Sequence, residues 1–167
     1  MNYVRWPNHR TRFAPFPGCL PAPGTVPKPG KRYFSFFVAL LHPFSRGSVH
    51  IGSADPFASP AIDMKALDNE ADMSIMMDAI KFIRKVAKTG PMAEIGRGEL
   101  LPGEDVQSDE QLKGWIKNTV QTIFHPIGTA SMLPRADGGV VDASLRVYGT
   151  DNLRVVSRLY PCARFRC

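Results

Sequence analysis

The sequence predicts an α+β fold, with an antiparallel sheet packed against two main helices and a disordered segment at each end. Three observations support this. An aromatic, β-branched run bounded by turn chemistry begins at Tyr33; two segments repeat apolar residues at helical spacing behind capping residues; and prolines crowd the first 32 positions. At 167 residues the chain can bury a core, and 44% hydrophobic with 22% charged residues places it among globular proteins.

Residues 1–32 hold seven of the fifteen prolines and six Lys/Arg with no acid. Such spacing excludes helix and central strand, so a basic, disordered leader is expected. Order is expected from Tyr33 onward. Residues 33–41 read as a largely buried strand, 42–47 as a turn, and 48–52 as a second strand paired antiparallel with the first. Residues 55–60 read as loop and 61–64 as an edge strand.

The first helix is expected over 70–88. Asp68 or Asn69 caps it, Glu70 and Asp72 suit the start of its dipole, Lys85 and Lys88 suit the end, and Gly90-Pro91 stops it. Met73, Met76, Met77, Ile80, Ile83 and Ala87 fall on one face, where thioethers fill core gaps. Residues 91–107 read as Gly- and Pro-rich loop, with Glu94, Glu99, Glu104 and Asp105 solvated. Ser108-Asp109-Glu110-Gln111 is a capping box that opens a second helix over 108–122. Leu112, Trp115, Ile116 and Val120 give this helix its inner face, and a turn is expected at 133–139.

The formal charge of +6 is unevenly placed. The first 32 residues and residues 154–167 together carry ten of the 21 Lys/Arg. Eleven remain against all fifteen Asp/Glu, so the body is net −4. No nucleic-acid motif accompanies the basic ends, and solvated tails account for them; neither nucleic acid nor membrane is an expected partner. Cys19, Cys162 and Cys167 lie in the end segments, an odd number that makes no disulfide framework and no metal-site pattern. The start has no signal peptide, and the longest apolar run, near 36–41, is too short for a bilayer, so the compartment stays open.

The chemistry concentrates in Phe124-His125-Pro126-Ile127-Gly128-Thr129-Ala130-Ser131-Met132. Pro126 fixes its own φ and biases His125 toward extended backbone, while Gly128 permits a tight turn just after it. A lone His beside a Pro also fits a purely structural or surface position.

His-Pro-x-Gly-Thr-x-x-Met at 125–132 is followed by Gly138-Gly139-Val140-Val141-Asp142, Leu145-Arg146-Val147-Tyr148-Gly149 and Asn152-Leu153-Arg154-Val155-Val156. This series resembles the C-terminal part of the glucose-methanol-choline (GMC) flavoprotein oxidoreductases. A second patch, His42-Pro43-x-Ser45-Arg46-Gly47-x-Val49 with Asp55-Pro56 and Pro60-x-Ile62, resembles the same family's substrate domain. The resemblance runs over about 33–156, which leaves the leader and residues 157–167 as a divergent Arg/Cys-rich tail.

The resemblance implies an FAD-dependent oxidation of a CH–OH group, with an alcohol or sugar as substrate and a hydride passing to flavin N5. It implies that His125 is the catalytic proton acceptor and Phe124 a substrate-binding pocket wall. Imidazole suits that task, since at an ordinary value of about 6.5 it is substantially neutral at physiological pH. Thr129 and Met132 read as structural supports, and Arg46 as a hydrogen-bond hub of its turn.

The chain also departs from the family pattern. No Gly-x-Gly-x-x-Gly phosphate turn appears in residues 1–32, and no cofactor-binding or metal-binding residue is assigned. After Val156 the family's acid and its second His or Asn are absent, and the ending looks like a shifted reading frame. The expectation is a fragment that is inactive alone, with a missing flavin-binding half as its partner. Two alternatives stay open, a non-catalytic binding module that pairs with a separate flavin domain and a basic-tailed interaction protein.

Overall fold

The computed structural model describes residues 28–96 and 98–156, together with the backbone of two strands nearer the N-terminus. The strands are β1 (Val4–Arg5), β2 (Arg10–Pro17), β3 (Phe34–Leu40), β4 (Ser48–His50) and β5 (Ala61–Asp63). The α-helices are α1 (Glu70–Ala87), α2 (Gly90–Ile95) and α3 (Asp109–Thr119), and a 3-10 turn spans Arg135–Asp137. The expected α+β class holds. The chain divides into two compact units, one of Met1–Gly47 with Met64–Gln121 and the other of Ser48–Asp63 with Thr122–Cys167.

In the first unit β1, β2 and β3 form an antiparallel sheet in that order, with Thr11 opposite Leu40 and Pro17 opposite Phe34. The composition of 1–32 predicts a disordered leader with no central strand, yet β1 and β2 form within it and β2 is the middle strand. Pro15 and Pro17 are two apart, so both missing N–H donors fall on one edge. Beyond Thr11 the outer edge of β2 has no ladder partner among the described residues, the setting in which a sheet tolerates proline. Residues 1–3, 6–9 and 18–27 of the leader, and residues 157–167, lie outside the described residues.

β3 differs from expectation in two ways. It is half-buried, with Phe34 and Phe37 exposed, and it pairs with β2 rather than with the strand that follows it. The cause is Asp72, near the start of α1. Its carboxylate accepts the amides of Phe44 (2.8 Å) and Ser45 (2.7 Å) and the Ser45 hydroxyl (2.5 Å). The 42–47 turn is thereby tied to α1 and does not fold back as a hairpin. Arg46 donates to the carbonyls of Pro43 (2.6 Å) and Ser45 (3.0 Å) and completes the turn as the expected hub.

α1 starts where Asn69 Oδ1 accepts the Ala71 amide at 2.9 Å, with Glu70 and Asp72 in its first turn and Arg84 and Lys85 in its last. Met73 and Ile80 are buried against Leu112 and Ile116 of α3, with Met76, Met77, Val38, Leu67, Val106 and Trp115 packed around them. The methionines are core, as their spacing suggests. Each fully buried side chain of this size contributes roughly 1.5–3 kcal/mol.

Gly90-Pro91 does end α1, but it also opens α2, because Pro in the first turn forgoes a donor that the helix does not use. The 91–107 segment is therefore only partly loop. Glu99 is not solvated as expected; the Arg84 guanidinium holds both its oxygens at 3.1 Å and donates to the Gly103 carbonyl at 3.3 Å. α3 opens with the full capping box, Ser108 Oγ accepting the Gln111 amide (3.2 Å) and Gln111 Oε1 accepting the Ser108 amide (3.0 Å). It ends at Thr119, three residues short of expectation, where Val120 turns to ψ 133°. No helix among the described residues is long and apolar enough to cross a membrane.

Candidate active site

In the second unit β4 and β5 pair antiparallel, with Val49 opposite Ile62. In the same unit, the His-bearing segment leads into a mesh of single bridges. Met132 pairs with Val141, Val141 with Val147, and Arg146 with Arg154. Val141 is the centre and is fully buried, with Ala130 and Ser131 buried as well.

Short hydrogen bonds lock this mesh. The Ser131 carbonyl accepts the amides of Val140 (2.8 Å) and Val141 (3.2 Å), and the Val140 carbonyl accepts that of Tyr148 (3.0 Å). The Tyr148 hydroxyl donates to the Leu133 carbonyl at 3.1 Å. Gly139 lies so close to Leu133 and Pro134 that a Cβ there would overlap the Leu133 carbonyl, so only glycine fits.

Asp142 organises the next turn. Its Oδ1 accepts the amides of Ser144 (2.8 Å) and Arg146 (2.9 Å), and its Oδ2 accepts the Arg146 guanidinium at 3.1 Å. The Arg146 amide, against a smaller upward push from burial, holds the carboxyl below its ordinary value, helped by the Ser144 amide and the Arg146 charge. Sequence reading missed Asp142, although Asp142-Ala143-Ser144 carries the local signal of an Asx turn.

The expected catalytic residues sit on the arm that precedes this mesh. Phe124 has φ +60° and its ring is 85% exposed; His125 is exposed and makes no hydrogen bond among the described residues. The Phe124 amide donates to Thr122 Oγ1 at 3.0 Å. Thr129, expected to satisfy backbone in the turn, is exposed, and the buried hydroxyl is that of Ser131, which donates to the Gly138 carbonyl at 3.4 Å. Met132 is half-buried. Among the described residues no group of three or more His, Cys, Asp or Glu is placed to hold a metal ion.

Residues 43–158 match the family model described as GMC oxidoreductase. A GMC oxidoreductase family protein of Malassezia sympodialis, Mala s 12, is 44% identical over 122 residues, which is 73% of this chain and 20% of that protein. Glucose oxidase 2 of Penicillium expansum is 38% identical over 125 residues, 72% of this chain and 21% of the other. Among solved structures, a formate oxidase of Aspergillus oryzae superposes with a TM-score of 0.77 at 28% identity, over 93% of this chain and 27% of its own. A fungal aryl-alcohol oxidase superposes at 0.69 with 33% identity, over 92% and 24%. This chain therefore spans about a fifth of the length of the curated relatives it matches. It belongs to the GMC oxidoreductase family, of which residues 43–158 are the C-terminal domain.

Proposed function

We infer that this chain is the substrate-side portion of an FAD-dependent oxidoreductase acting on CH–OH groups of an alcohol or sugar, and that it is inactive without a flavin-binding partner portion. The observation that carries the reading is the family match, whose range includes His-Pro-x-Gly-Thr-x-x-Met at 125–132. Glucose oxidases are among the relatives and an aryl-alcohol oxidase among the structural neighbours, and CH–OH donors are what those names have in common.

The flavin carries a diphosphate, and the starts of α1 and α3 do not fit it. The first turns of both long helices are already capped, by Asn69 and by Ser108. Each is also anionic, with Glu70 and Asp72 in one and Asp109 and Glu110 in the other, which repels phosphate where a dinucleotide site would attract it. The diphosphate is held by other residues.

Oxidation of a CH–OH group removes a proton from oxygen and a hydride from carbon. The first task is within reach of this chain. The imidazole of His125 accepts the hydroxyl proton, which raises electron density on the carbon that loses hydride. Pro126 narrows the backbone choices of His125 just before it. Phe124 supplies an apolar wall beside the reacting carbon when the rest of the enzyme is in place.

The test is a graft. In one of the relatives, the segment that matches 43–158 is replaced by that of this chain, and His125→Asn is introduced. The expected loss in kcat is ~10²–10⁴-fold, the usual contribution of a positioned acid–base group, with flavin content unchanged. Undiminished turnover with the asparagine would refute the reading.

A further inference from the structure

We propose that the β4–β5 ribbon and the loop joining its strands form the face on which the flavin-binding portion of the enzyme docks, an assignment that rests on the two-portion reading above. Every residue of 49–63 is exposed, so neither face of the ribbon is covered among the described residues. A ribbon of two strands is marginal in water until another layer packs on it. Val49 and Ile62 stand opposite each other and so share one face. A Cβ on Gly52 would meet that of Ala61 at 3.8 Å, so the chain stays beside β5 past His50. Strand alternation then carries Ile51, 91% exposed, to the Val49 side.

The joining loop has an ordered backbone. Ser53 Oγ accepts the Asp55 amide at 3.0 Å, Asp55 Oδ1 accepts the Phe57 amide at 3.0 Å, and the Asp55 carbonyl accepts the Ala58 amide at 3.1 Å. Phe57, inside this turn, is 94% exposed. Large apolar side chains gathered on one short ribbon without cover mark a contact surface. Proportion and charge select the occupant. This fold fills 27% of the formate oxidase chain and 24% of the aryl-alcohol oxidase chain, so most of each lies outside it. A second copy of this chain is the poorer occupant. Residues 48–63 carry Asp55 and Asp63 and no Lys or Arg, so two such faces set together would bring like charges close.

Ile51→Ser, Phe57→Ser and Ile62→Ser, made one at a time, test it in two settings. In the full 167-residue chain these side chains already meet water, so urea midpoints are expected to stay where they are. In the grafted relative the same changes strike a covered face, and each should lower Tm by roughly 5 °C or more and reduce flavin content. Without any substitution, the amides of 49–51 and 61–63 should exchange with deuterium at least about tenfold more slowly in the graft than in the chain. Unchanged Tm and unprotected amides in the graft overturn the proposal. So does a concentration-dependent dimer of the 167-residue chain in sedimentation that Phe57→Ser abolishes, since the face then belongs to a second copy. Tight FAD binding by the 167-residue chain alone would remove the two-portion reading instead, a result that melting and exchange do not measure.

Discussion

Asp72 and Asp142 are the two carboxylates around which local backbone is wound, and both bear on the pH response. Burial pushes Asp72 upward, but the Ser45 hydroxyl and the amides of Phe44 and Ser45, with Arg46 nearby, outweigh it and hold the carboxyl below its ordinary value. Asp142 is lowered as well, chiefly by the Arg146 amide. A carboxyl lowered in the folded state binds fewer protons there than in the unfolded chain, so its stabilisation is complete above the unfolded value and fades as pH falls through the folded one. Urea midpoints are therefore expected to drop below about pH 4. Asp72→Asn, which leaves donors in the 42–47 turn short of an acceptor, should cost about 1–3 kcal/mol at neutral pH and flatten the acid limb. An acid limb unchanged in the variant would show that Asp72 is not its source. Neither carboxylate was assigned this role from sequence. The partners of Asp72 lie 27 and 28 residues away, and a contact across that separation leaves no periodic mark. His125 is singled out by its neighbours Pro126 and Gly128, and its proposed role comes from the family resemblance of the segment that holds it.

At the scale of elements, legibility followed locality. The α3 capping box reads directly from Ser108 to Gln111 and is present with both of its hydrogen bonds. The α1 cap at Asn69 and the methionine face were likewise visible, because each repeats within four residues. Strand pairing was not, since β3 finds its partner in β2 across a long connection and an aspartate in α1 diverts the turn after it. This division gives a paired prediction in α3. Ser108→Ala removes one cap and should cost about 1 kcal/mol. Leu112→Ala empties a fully buried position between the helices and should cost about 2–5 kcal/mol. Denaturant unfolding of the two variants checks the order, and a cap variant costlier than the core variant would contradict the packing described for this unit.

At the scale of the molecule, family membership places residues 43–158 in a C-terminal domain, and the chain spans about a fifth of its curated relatives. In the proposed function this portion carries the proton acceptor and the substrate wall, and residues elsewhere hold the cofactor. The anionic, already capped starts of α1 and α3 are poor places for a diphosphate, which supports that division. Titration of the purified 167-residue chain with FAD, followed by flavin fluorescence, tests it most directly. The expected result is no saturable binding at micromolar flavin. Stoichiometric, tight binding of FAD would contradict the account and place the cofactor site within these residues.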